Sequence, residues 1–124
     1  GFARRLFRTS QAQIGGALGL TAERARQIGH VITKRLQQAQ ATDPRIGDVR
    51  GRGAMMAAEL VQPASAEPDA ELTARVACAA HAEGVIVLTC GTYGNAIRLL
   101  PPLSITDDLL EEGLTLLLTA LATN

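Results

Sequence analysis

From Thr21 onward apolar residues recur every three or four positions, at Ala25, Ile28, Ile32, Leu36 and Ala39. Charged residues and glutamines fill the gaps. That spacing predicts a helix with one buried stripe, which Thr21 can cap and Asp43-Pro44 stops near Ala41. The pattern then shortens. Ile46 to Val49 and Ala54 to Val61 read as strands, separated by Arg50-Gly51-Arg52-Gly53, whose alternate glycines fit a tight turn or bulge requiring positive φ. An anion site there is disfavoured because no helix start follows to supply free N–H groups. Glu59 is the one charge of the second strand and falls on the face of Met55, Ala57 and Val61.

Gln62 to Pro68 reads as a surface loop, after which Asp69 can cap a second helix with the stripe Leu72, Val76, Ala79 and Ala80 and a terminal Gly84. Val85 to Cys90 is a continuous apolar run between glycines and reads as a central strand. Gly91 to Asn95 connects it to a strand from Ala96 to Leu100, which Pro101-Pro102 ends. The last helix starts at Thr106, with Asp107 and Asp108 in its first turn and an apolar face of Leu109, Leu110, Leu114, Leu117, Leu118 and Leu121. Helix, strand, strand, helix, strand, strand, helix predicts an α+β fold: a small, largely antiparallel sheet with helices packed on one face.

Residues 1–20 stand apart as an atypical basic arm, with Arg4, Arg5 and Arg8 alternating with apolar residues, no acid before Glu23, and Gly15, Gly16 and Gly19 towards its end. A transit peptide or a membrane-surface helix suits that composition, as does the plainer reading of a frayed arm or a segment that packs on a missing neighbour. The remaining 21–124 make one domain. Twelve basic residues balance twelve acidic ones, so no general attraction to nucleic acid or to an anionic membrane is expected. No apolar run approaches the roughly 20 residues of a membrane-spanning helix, and a cytoplasmic location is expected. Two cysteines make no disulfide framework. Cys78 and His81 alone do not complete a metal site.

Arg98 is the leading candidate for chemistry, because it interrupts an apolar strand and shares a face with Ala96 and Leu100, which do not explain its charge. A guanidinium on a strand end makes a rigid carboxylate receptor through two parallel N–H donors. A solvated sheet face or a structural salt bridge explains the same residue. The adjoining polar, glycine-hinged loop makes Cys90, Gly91 and Tyr93 candidate pocket walls. Equally, Cys90 suits a buried small residue and Tyr93 a turn, since no local base depresses the thiol's pKa. His30 and His81 read as ordinary boundary residues rather than bases.

Three blocks in order, Ile46-Gly47-Asp48-Val49-Arg50-Gly51-Arg52-Gly53-Ala54-Met55-Met56, Leu88-Thr89-Cys90-Gly91 and Asn95-Ala96-Ile97-Arg98-Leu99-Leu100-Pro101-Pro102-Leu103, resemble the C-terminal small domain of class III pyridoxal-phosphate-dependent aminotransferases. The Cys-Gly-Thr-Tyr-Gly-Asn form is similar to the 4-aminobutyrate type. The resemblance runs from Thr21 to the C-terminus. It implies the small domain of a fold-type I enzyme that moves an amino group from a 4-aminobutyrate-like donor to 2-oxoglutarate through pyridoxal phosphate. It also implies that Arg98 binds the substrate carboxylate and that a glutamate of the large domain can pair with it. No catalytic role is implied for Arg50 or Arg52. The family's cofactor lysine, pyridine-binding aspartate and phosphate loop belong to a large domain outside these residues. The one lysine, Lys34, lies outside any matching motif.

No bound cofactor and no transamination are therefore expected of this chain alone. Its expected partners are the large domain or another subunit, a second copy of the chain in a homo-oligomer, and small amino and oxo acids. The alternative is a stand-alone dicarboxylate-binding or oligomerisation module that has lost catalysis.

Overall fold

A computed structural model describes residues 11–124. Its elements are α1 (Gln11–Thr42), β1 (Ile46–Arg52), β2 (Met55–Leu60), α2 (Ala70–Ala82), β3 (Leu88–Cys90), β4 (Ala96–Leu99) and α3 (Asp107–Ala122). The expected element order is therefore present. The strands form one sheet in the order β1-β2-β4-β3, with every neighbouring pair antiparallel.

The first helix starts earlier than the pattern predicts, at Gln11 instead of Thr21. Starting a helix is costly and extending one is cheap, so a helix nucleated over the apolar stripe continues through glycines that each cost about 1 kcal/mol against alanine. Thr21 is thus an interior position. Of the basic arm, residues 1–10 lie outside the described residues. Ile28, Ile32 and Leu36 are buried as expected. Gly29 is buried too, and a Cβ there would collide with the Gly53 carbonyl oxygen, so glycine lets α1 press its backbone against the β1–β2 hairpin. The hairpin itself turns on Gly53-Ala54 between the paired Arg52 and Met55. Gly53 has φ 57°, which suits glycine at the first central residue of a two-residue turn.

Both predicted caps are present. The Asp69 carboxylate accepts from the Leu72 N–H at 3.0 Å, and the Thr106 hydroxyl accepts from the Leu109 N–H at 3.2 Å. Gly84, at φ 88°, follows the end of α2. Met56, Ala58 and Leu60 of β2 and Ile97 and Leu99 of β4 form the inner face of the sheet and share one core with Ile32, Leu36, Val76, Leu114, Leu117 and Leu121. Against that face lie α1 and α2, and α3 packs on both helices. Arg45 fastens the far end: its guanidinium donates to both Asp43 carboxylate oxygens, at 3.0 and 2.8 Å, and to the Leu121 carbonyl at 3.0 Å. The hydrogen bond from Arg45 outweighs partial burial and holds the Asp43 carboxyl below the usual aspartate range.

The run Val85 to Cys90 is not a central strand. Only Leu88–Cys90 pairs, and it does so at the sheet edge, against β4 alone. Val87 turns into the core while Ile86 and Leu88 are exposed. Apolar content alone does not separate a buried central strand from an edge strand that displays apolar side chains. Leu109, counted with the apolar face of the last helix, is also exposed.

Candidate functional site

Among the described residues the three helices lie on one side of the sheet and its other face is open. Strand alternation assigns to it Asp48, Arg50 and Arg52 of β1, Met55, Ala57 and Glu59 of β2, Ala96 and Arg98 of β4, and Leu88 and Cys90 of β3. Register aligns Arg50, Ala57, Arg98 and Leu88 in one row across the four strands. Arg98 is therefore flanked by an alanine methyl on one side and a half-exposed leucine on the other.

Arg98 is exposed on this face. Among the described residues its side chain makes no hydrogen bond and no ion pair. Of the alternatives, the solvated sheet face describes it here and the structural salt bridge does not. The neighbouring carboxylate is engaged elsewhere: Glu59 accepts from Arg50 Nη1 at 2.6 Å, and the same nitrogen reaches Asp48 at 3.1 Å. Those two carboxylates, Glu59 first, raise the Arg50 pKa.

Cys90 lies on the face of Arg98, two pairs further along the β3–β4 ladder and partly buried. Gly91, at φ 92°, opens the turn, which closes by a Gly94 N–H to Gly91 carbonyl hydrogen bond of 3.1 Å. Tyr93 is exposed at the tip and behaves as a turn residue. Buried Asn95 grips Leu60 twice, donating from Nδ2 to its carbonyl at 3.0 Å and accepting from its N–H at 2.7 Å through the backbone. This clamp fixes where β4 begins and hence which face Arg98 takes. Of the histidines, His81 Nε2 contacts the Val87 carbonyl at 3.0 Å and is a structural bracket, whereas His30 is exposed on α1. Among the described residues no group of three or more His, Cys, Asp or Glu side chains is placed to hold a metal ion.

Sequence reasoning singled out Arg98 but not the Arg50–Glu59 pairing beside it. Their two-residue alternation along β1 and β2 was available as a signal, yet only the cross-strand register shows that Glu59 stands between two arginines.

An apolar groove of about 440 Å³ lies away from this face, between Ile32, the Gly84–Ile86 segment, Leu99 to Pro102 and the first turns of α3. None of Cys90, Gly91, Tyr93 or Arg98 lines it, and its wall brings no charged group to a ligand. Lys34 is exposed on α1 in a shallow depression with His30, Thr33, Gln37, Gln38 and Ala41. Schiff-base chemistry with pyridoxal phosphate calls for a desolvated or otherwise activated amine and a carboxylate for the pyridine nitrogen. Lys34 has neither, so these residues do not fit the cofactor. No helix of the described residues is long and apolar enough to cross a membrane.

A 4-aminobutyrate aminotransferase of Mycobacterium tuberculosis (strain ATCC 25618 / H37Rv) is 64% identical over 100 residues, covering 81% of this chain and 22% of that protein. A 5-aminovalerate aminotransferase of Pseudomonas putida is 40% identical over 95 residues, covering 77% of this chain and 22% of that protein. The chain thus spans about a fifth of the length of these curated relatives. Among solved structures, a Bacillus anthracis aminotransferase superposes with a TM-score of 0.77 at 29% identity, over 87% of this chain and 25% of that one. An amine transaminase from an uncultivated Pseudomonas species, in its pyridoxal-phosphate-bound form, gives 0.72 at 30% identity, over 86% and 24%. The model of the class-III aminotransferases matches residues 19–121, nearly the whole described domain, and the chain belongs to that family.

Proposed function

We propose that this chain is the part of a 4-aminobutyrate aminotransferase-like enzyme that receives the substrate carboxylate, with Arg98 as the receptor. The reading rests on one observation: in a chain of this family, Arg98 has no partner among the described residues and stands on the exposed sheet face. A guanidinium fixed on a strand and free of internal partners presents two N–H donors to a carboxylate without first breaking a bond. The two relatives are named for 4-aminobutyrate and 5-aminovalerate, amino acids that differ by one methylene and both end in a carboxylate. Amino transfer to 2-oxoglutarate, another carboxylate, suits the same receptor. Cys90, Gly91 and Tyr93 border the site on the β3–β4 side as its candidate wall.

Catalysis belongs to residues outside this chain, since Lys34 does not fit the cofactor. The large domain or another subunit covers the open face, where Met55 and Leu88 leave apolar surface in water; association with a second copy exploits the same surface. A cytoplasmic enzyme acting on small amino and oxo acids is the corresponding setting.

Titrating the chain with glutarate and 2-oxoglutarate tests the receptor. Specific binding is expected, weak because the site is open, and Arg98→Ala abolishes it. Binding that survives Arg98→Ala overturns the assignment. The chain alone is also expected to show neither pyridoxal-phosphate absorbance nor turnover of 4-aminobutyrate, and robust turnover without another subunit overturns that part.

A further inference from the structure

Glu59 is the carboxylate of this chain best placed to close on Arg98. In the β2–β4 register Glu59 stands opposite Ala96 and Arg98 opposite Ala57. The two side chains are therefore diagonal neighbours on one face, about 7–8 Å apart at the backbone and within reach of long side chains. Arg50 stands opposite the same Ala57 from the other strand, so two arginines flank one short methyl at the same level. Glu59 bonds to Arg50 at 2.6 Å, although Asp48 already occupies the same guanidinium nitrogen at 3.1 Å. Charge balance alone favours a different arrangement, Arg50 with Asp48 and Arg98 with Glu59. The structure instead gathers two carboxylates on Arg50 and leaves Arg98 without a partner among the described residues.

We propose that Arg50 is a positioning residue that holds Glu59 away from Arg98 and so keeps the carboxylate receptor open. This rests on the reading of Arg98 as that receptor and adds what maintains it. All the groups are on or near the surface, where solvent screening keeps an ion pair weak. Exchange of Glu59 between the two arginines is then governed by small differences, which a single substitution reverses. Without Arg50, Glu59 has one cation left at this spacing among the described residues, Arg98, and becomes an internal competitor of the substrate carboxylate.

The Nε–Hε resonance of Arg98, followed by NMR with glutarate as the probe, tests this on the chain itself. In the unsubstituted chain the resonance is that of a free guanidinium and moves when glutarate is added. In Arg50→Gln it sits towards the glutarate-bound position before any ligand is present, and glutarate affinity falls about threefold to fivefold, the range of one exposed ion pair. In Arg50→Gln/Glu59→Gln both properties return to their original values. A merely structural role for Arg50 gives no such recovery, because the double variant lacks Arg50 equally. Should Arg50→Gln lose the hairpin, Arg50→Lys gives the same shift with smaller amplitude, since its unforked head holds two carboxylates less well.

An Arg98 resonance unmoved by loss of Arg50, or a double variant that behaves as the single one, overturns the proposal. If the unsubstituted chain ignores glutarate while the Arg98 resonance still differs between single and double variants, the receptor reading fails and the competition between arginines stands.

Discussion

The two faces of this sheet are built from the same strands and have opposite characters. On the inner face Met56, Ala58, Leu60, Ile97 and Leu99 are buried beneath the helices. On the outer face, one residue along each strand, stand Arg50, Met55, Glu59, Arg98 and Leu88, mostly in water. A two-residue period makes both faces from one backbone, so covered and exposed side chains alternate along each strand. With Arg98 as the proposed carboxylate receptor, substitutions inside should cost stability and those outside should cost binding.

The largest break in that contrast is expected from Ile32→Ala. Ile32 is fully buried on α1 and packs in the core beneath the sheet. Removing its branched end is expected to cost about 2–5 kcal/mol, the range for aliphatic truncation in a packed core. Urea denaturation checks this, and a loss under about 1 kcal/mol would mean that the helix layer closes over the gap. Arg98→Ala in the same experiment should leave the midpoint almost unchanged, because its side chain is exposed and bonds to none of the described residues.

A smaller effect, visible through pH, belongs to the Asp43–Arg45 bracket. The folded Asp43 carboxyl titrates below its unfolded value because Arg45 hydrogen-bonds the charged form. Its contribution is therefore fully present above the ordinary aspartate value of about 4 and disappears as pH falls through the lowered folded value. Asp43→Asn should be less stable than the parent at neutral pH, and the two should converge under acid. Parallel stability curves over that range would assign the difference to something other than this charge.

Much of the covered face was legible in the sequence, because burial imposes a period. The stripe of α1 and the caps Asp69 and Thr106 follow from positions in the chain and are observed. Features set by energy differences without a sequence period were not legible. The early start of α1 depends on propagation through Gly15, Gly16 and Gly19. The edge position of β3 depends on pairing, not on the apolarity of Val85 to Cys90. Arg98 was visible as a charge in an apolar strand, but that it has no partner while Glu59 turns to Arg50 depends on register and on a choice between two arginines.

The smallest expected effect is the sharpest test of the open face. Leu88 stands directly opposite Arg98 on the edge strand and is 51% exposed, so much of its apolar surface is already in water. Leu88→Ser should therefore change stability by no more than about 0.5 kcal/mol in dilute solution, as for surface sites without a special role. If a second copy covers this face, Leu88 gains burial only in the associated form, and the cost of Leu88→Ser grows with protein concentration through mass action. Thermal melting at low and at hundredfold higher concentration separates the two. A loss of more than about 1 kcal/mol that is the same at both concentrations means the leucine is covered within a single chain, and the division of labour between the two faces does not hold at that position.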